Sequence, residues 1–159
     1  MLYGIALLTA LCASPCLGNI ANDFDKVAEA APPVRFTWLR KSEATPRFKN
    51  LFVHSIPDDG VRCLAQGQLD GPPVQDCLDV LNFVKEQKDP FHIDAGMCWA
   101  AQHGGCVAIV CAEKEALDLS PKKDMHWDEL TSQCLNRGHS GTYRAGDLGL
   151  ETSLLKWTA

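Results

Sequence analysis

Of the eight cysteines in this 159-residue chain, six lie between residues 63 and 134, at Cys63, Cys77, Cys98, Cys106, Cys111 and Cys134. The other two, Cys12 and Cys16, fall in an apolar N-terminal segment, and no charged side chain appears before Asp23. An apolar stretch of about ten residues followed by small ones has the shape of a secretory signal peptide. It is too short for a membrane span, which needs about twenty apolar residues. Cys16 and Gly18 give a small-x-small cleavage site, so residues 1–18 are expected to leave by a cut between Gly18 and Asn19. No later window is apolar enough to cross a bilayer, so a secreted, soluble, extracellular protein of 141 residues is expected. It carries no N-x-[ST] sequon.

Removal of that segment leaves six cysteines. An even number in an oxidising compartment predicts a closed framework of disulfides. Each bridge is worth about 2–4 kcal/mol, comparable with the net stability of a small domain. The spacings contain no C-x-x-C pair, and Cys106-x4-Cys111 alone is a poor metal signature, so neither a metal nor a cofactor is expected. The pairing itself stays open, and a link across the hairpin turn between Cys98 and Cys106 is one of many combinations.

The segment from residue 19 to 60 differs in kind. It has no cysteine, and residues 34–50 carry Arg35, Arg40, Lys41, Arg47 and Lys49 against Glu43 alone. From Val61 onward there are nine basic and fourteen acidic residues. A basic arm or pro-segment, residues 19–60, thus precedes an acidic domain, residues 61–159. Three fates are open for the arm. It is removed, with Arg40-Lys41 as a dibasic point, or it docks on the acidic face, or its piece Val34–Leu39 adds a strand.

Within the domain, Val61–Ala65 is a β-prone run entered from the Pro57–Gly60 turn. Gly71-Pro72-Pro73 opens a helix, and Val74, Cys77, Leu78, Leu81 and Val84 repeat on one helical face. Asp76 and Asp79 at its start and Lys85 and Lys88 at its end suit the helix dipole. Asp89-Pro90 closes it. The apolar runs Phe91–Ala101 and Cys106–Ala112, joined by Gln102-His-Gly-Gly105, read as a hairpin. Its second run is apolar on both faces and should be a central strand. A second helix is expected on Trp127, Leu130, Thr131, Cys134 and Leu135, with Asp124 as N-cap and Gly138 as terminator. The tail holds a turn at Ala145-Gly146-Asp147 and a strand with Leu148, Leu150, Thr152 and Leu154 alternating. The order β-α-β-β-α-β predicts an α+β, split β-α-β (ferredoxin-like) sandwich. Two helices would cover a four-stranded antiparallel sheet, stapled by disulfides.

Cys63-Leu-Ala-Gln-Gly, Gly71-Pro-Pro-x-x-Asp-Cys77-Leu-x-x-Leu, Ala95-Gly-x-Cys98, Gly105-Cys106-x4-Cys111 and Cys134 with Gly138-x-x-Gly141-x-Tyr143 form a pattern. It is similar to secreted cysteine-rich proteins of filamentous fungi, the killer-toxin-like and extracellular necrosis-inducing effectors. The resemblance covers residues 61–157 and not the arm. It implies an α/β sandwich, a place outside the cell, and action on a host plant or competing microbe. It offers no shared catalytic residues.

The residues themselves point away from catalysis. His54, His92, His103, His126 and His139 form no H-x-x-x-H or H-E-x-x-H pair. No nucleophile sits in a G-x-S-x-G turn, and bridged cysteines leave no thiolate. The pairs Asp76/Asp79 and Asp128/Glu129 read as helix-start charges rather than glycosidase carboxylates. An acidic domain lacks the basic face that phosphate contacts need, so no nucleic acid is expected. Aromatic and loop residues remain as binding candidates, since Trp anchors interfaces and loops carry function. Trp99 and His103 near the hairpin, and Arg144 at the C-terminal turn, are the residues singled out. For Trp99, Trp127 and Trp157 the preferred expectation is that they fill the core of a small domain. The partner would be an extracellular protein, a glycan or a cell-surface target, with membrane contact as a further option.

Overall fold

The computed structural model describes residues 33–47, 59–64 and 71–157. The signal segment with its cleavage junction, Cys12 and Cys16, and His54 in the arm lie outside the described residues.

Cys106–Ala112, the run apolar on both faces, is β5 and is buried along its whole length. It pairs through a two-glycine turn with β4 (Met97–His103) and on its other side with β8 (Leu150–Lys156). Beyond β4 lies β1 (Arg35–Arg40), and beyond β8 lie β7 (Gly141–Ala145) and β2 (Asp59–Cys63). The sheet order is β1-β4-β5-β8-β7-β2, antiparallel throughout. A small second sheet pairs β3 (Phe91–Ile93) with β6 (Leu117–Leu119).

The mixed α+β class and the antiparallel sheet agree with the sequence reading, but the four-stranded ferredoxin-like form does not. Eight strands form a six-stranded and a two-stranded sheet among the described residues. Four of them account for the difference. Val34–Leu39 supplies the added strand β1. The run Phe91–Ala101 breaks at Gly96, whose φ of 75° lets the chain turn, so β3 leaves the main sheet. Leu117–Leu119 follows β3 out, and the tail folds into a hairpin, β7–β8, rather than one strand.

The two long connections place helices on one face. Helix α2 (Val74–Glu86) buries Cys77, Leu81 and Val84 of the expected stripe and Val80 beside them, whereas Leu78 is only partly buried and Val74, at the helix start, is exposed. Helix α3 (Trp127–Gln133) buries Trp127 and Leu130 and passes into a 3-10 turn, Leu135–Arg137. Gly138, with φ 73°, ends that turn as expected. Asp124 does not cap α3. Its carboxylate instead accepts the backbone N–H of Ser120 at 2.7 Å, closing the preceding turn, and His126 takes the capping position.

The sheet separates two apolar clusters. On the α2/α3 side lie Trp99, Ala101, Cys106, Ala108, Val110 and Leu154 with the helix residues. On the other lie Cys98, Ala100, Val107, Ile109, Cys111 and Leu155 with Leu39 and Ala44, the latter from helix α1 (Lys41–Arg47). This alternation decides the disulfides. Cys98 and Cys106 point to opposite faces and cannot meet across the turn. Cys98 instead bridges Cys111, directly opposite it in the ladder, with Cα atoms 4.0 Å apart. Cys77 of α2 reaches down to Cys106, and Cys63 at the sheet edge bridges Cys134 at the end of α3. All six expected cysteines are thus paired, two bridges tying helices to strands and one tying strand to strand.

Candidate functional site

Trp99 does not stand on the surface. The β4 register turns it beneath the helices, where it is 2 % exposed and stacks on Phe91 at 4.6 Å and Phe36 at 5.5 Å between ring centroids. Trp127 is buried likewise, and Trp157 is half-buried against the second cluster.

His103 also faces the helices, at 8 % exposure, because its register position in β4 lies on the α2 side. Its Nε2 is 3.7 Å from Asp79 Oδ2, and its Nδ1 meets no hydrogen-bond partner. The neighbouring turn is fastened to α2 as well. Asp76 accepts the Gly105 N–H, and Cβ atoms at Gly104 and Gly105 would stand 2.4 Å from Asp76 Oδ2 and 2.9 Å from Pro73 Cγ. A side chain at Gly104 would also have to adopt a φ of 50°, and one at Gly105 would have to displace the Pro73 ring. The hairpin loop is therefore seated in the fold.

Arg144 is the centre of an ion cluster on the opposite face of the sheet. Its Nη2 lies 2.8 Å from Glu113 Oε1 and its Nε 3.4 Å from Oε2 of the buried Glu151. Lys41 of α1 pairs with the same Glu113. Burial alone would raise the Glu113 carboxyl, but the Lys41 ammonium and the Arg144 guanidinium outweigh it. They hold the group below the usual carboxylate range. The cluster ties the α1 segment to β7 and β8.

His126 is the only non-glycine described residue with positive φ, at 51°. It stacks on Tyr143 at 3.7 Å, and its Nδ1 is 3.3 Å from Glu129. Tyr143, partly withdrawn from water and near Asp59, Glu129 and Asp147, has its hydroxyl pKa raised.

The accessible chemistry lies elsewhere, at the edge where β1 and the small sheet meet over β4. Phe36 and Trp38 on β1 are 44 % and 50 % exposed. Phe36 rests on Phe83 of α2 and on Trp99, so this aromatic edge is braced by the core beneath it. Beside it an open cleft of about 310 Å³ is lined by Trp38, His92, Asp94 and Met97. His92 on β3 is 59 % exposed and stands between two carboxylates, 2.8 Å from Asp118 and 3.4 Å from Asp94. The hydrogen bond and charge of Asp118, aided by Asp94, raise the His92 pKa.

Trp99, His103 and Arg144 are thus three separate places rather than one site, and the cleft contains none of them. Trp38, Asp94 and Met97 were missed. The alternation Val34-Arg-Phe-Thr-Trp-Leu39 does place Phe36 and Trp38 on one side of a strand, so the signal was present. It was obscured because the segment reads as an arm rather than as part of the domain.

Among the described residues no three His, Cys, Asp or Glu side chains are grouped to hold a metal, and no helix is long and apolar enough to cross a membrane. The three disulfides fit an extracellular protein. No protein-family model, curated protein or solved structure matches the chain.

Proposed function

We propose that this chain is a secreted, disulfide-stabilised protein of the effector or killer-toxin-like kind, which acts by binding a target outside or on a foreign cell. The observation that carries the binding role is the exposed pair Phe36 and Trp38 on an edge strand, braced from below and opening onto a cleft. Large aromatic side chains left in water on a rigid support are the usual anchors of recognition. The disulfides support work outside the cell. The effector character rests on the cysteine pattern, and the reading assigns no residue a catalytic role.

A non-toxic extracellular binder is the second reading, either an inhibitor of a hydrolase or a carbohydrate-binding protein. The polar groups His92 and Asp94 beside Trp38 favour its carbohydrate form.

Dye leakage from plant and fungal cells exposed to the oxidised protein separates the two. Leakage that disappears after reduction and alkylation supports a fold-dependent toxin. Intact cells that nonetheless retain the protein on their surface support the silent binder. No injury, no retention on either cell type and no stable complex with a protein of host extracellular fluid would together overturn the binding role.

A further inference from the structure

We propose that the cleft formed by Trp38, His92, Asp94 and Met97 is a subsite for a neutral pyranose unit of a glycan. The inference rests on the binding role proposed above and names the chemistry of its ligand.

Four features of the cleft agree on this ligand. At about 310 Å³ it lies at the small end of ligand sites, room for one compact unit of a longer chain that continues into solvent. One wall is an indole, half exposed and held by its strand, a flat apolar surface against which the C–H face of a sugar ring can lie. Met97, opposite Arg40 in the β1–β4 ladder, supplies a second apolar contact. The polar side is an imidazole and a carboxylate close together. Asp94 offers acceptor oxygens to sugar hydroxyls, and the His92 ring, held by Asp118, offers a nitrogen beside them.

The charge arrangement argues for a neutral ligand over a cationic one. An indole next to a carboxylate would also hold an ammonium. Here, however, Asp94 and Asp118 both face the imidazole, whose protonated form offsets one of the two charges. Arg40 stands on the same side of β1 as Trp38, at the Met97 end, and opposes a second cation. A flat apolar wall facing a pair of short hydrogen-bonding groups is what an uncharged polyol requires.

The test uses the oxidised full chain with indole N–H and histidine signals followed by NMR. Cellotriose, N,N′,N″-triacetylchitotriose and mannotriose are titrated separately, with tetramethylammonium as the cationic probe. At least one trisaccharide is expected to shift the Trp38 and His92 signals saturably, while the Trp99 indole, buried beneath, stays in place. Trp38→Ala should weaken that binding by about tenfold or more, the equivalent of about 1.4 kcal/mol, and Trp38→Phe should retain part of it. Asp94→Asn should weaken it with the three bridges intact. Saturable binding of tetramethylammonium at Trp38, or no shift with any of the three sugars, overturns the pyranose subsite. Retention on plant and fungal cells, measured in parallel, keeps the two proposals apart. If the sugars fail yet Trp38→Ala abolishes retention, the binding surface stands with a different ligand. If retention is also indifferent to Trp38→Ala, the surface assigned to binding is wrong as well.

Discussion

Asp76 accepts a hydrogen bond from the backbone N–H of Gly105 at 2.7 Å, one residue from each end of the Cys77–Cys106 bridge. A covalent and a charge-assisted link therefore pin the β4–β5 turn to the first turn of α2. Asp76→Ala leaves that N–H without its acceptor, and a hydrogen bond to a charged group contributes about 1.5–3 kcal/mol. A loss of this size is expected in urea unfolding of the oxidised protein. Gly104→Ala should destabilise too, because its φ of 50° and its contact with Asp76 exclude a Cβ. An unchanged midpoint in Asp76→Ala would mean that the bridge alone holds the turn.

The bridges differ in the length of chain they close. Cys63 and Cys134 are separated by 71 residues, and Cys98 and Cys111 by 13. In the chain-entropy account, cross-linking the longer loop restricts the unfolded chain more, by about 1.5 kcal/mol for these two lengths. The double variant Cys63→Ala/Cys134→Ala is therefore expected to be the less stable of the two double variants by about that amount. Equal stabilities in denaturant would show that native-state packing, rather than loop closure, sets the contribution of each bridge.

Periodicity made some elements readable and register made others unreadable. The stripe Val74, Cys77, Leu81, Val84 identified α2, and apolarity on both faces identified β5 as central. What periodicity does not carry is which strands pair. The four-stranded form failed because Gly96 diverts Phe91–Ile93 into its own sheet and because β1 comes from a segment whose charge separates it from the domain. The same limit hid the cleft. Trp38 lies far in sequence from His92 and Asp94, and only the β1–β4 pairing brings them together. Trp99, next to the hairpin turn, suits a contact surface or a core, and its register position decides for the core.

Two ion pairs should give opposite pH dependences. Glu113 has a folded pKa below its unfolded value, so its stabilisation is present above the ordinary carboxylate pKa and is lost as pH falls through the folded one. The stability gap between the wild type and Glu113→Gln should close toward acid. His92 has its folded pKa raised, so its contribution is present below the unfolded histidine pKa and is lost as pH rises through the folded value. The gap between the wild type and Asp118→Asn should close toward alkaline pH, and the His92 titration followed by NMR should move down in that variant. A His92 midpoint unaffected by Asp118→Asn would refute the pairing.

Trp38 and Trp99 face each other across the β1–β4 ladder, yet they should behave oppositely on truncation. Trp99 is enclosed by Phe36, Phe91 and the cluster beneath α2, so Trp99→Ala removes buried contacts and leaves a cavity. Such changes cost about 3–5 kcal/mol, enough to leave a small domain partly unfolded. Trp38 keeps half its surface in water, and Trp38→Ala should cost no more than about 1 kcal/mol, as for ordinary surface positions. Thermal and urea unfolding of the two variants measure the difference directly. A Trp38→Ala protein as unstable as Trp99→Ala would make Trp38 a structural residue and remove the reason for treating its exposed face as a binding surface.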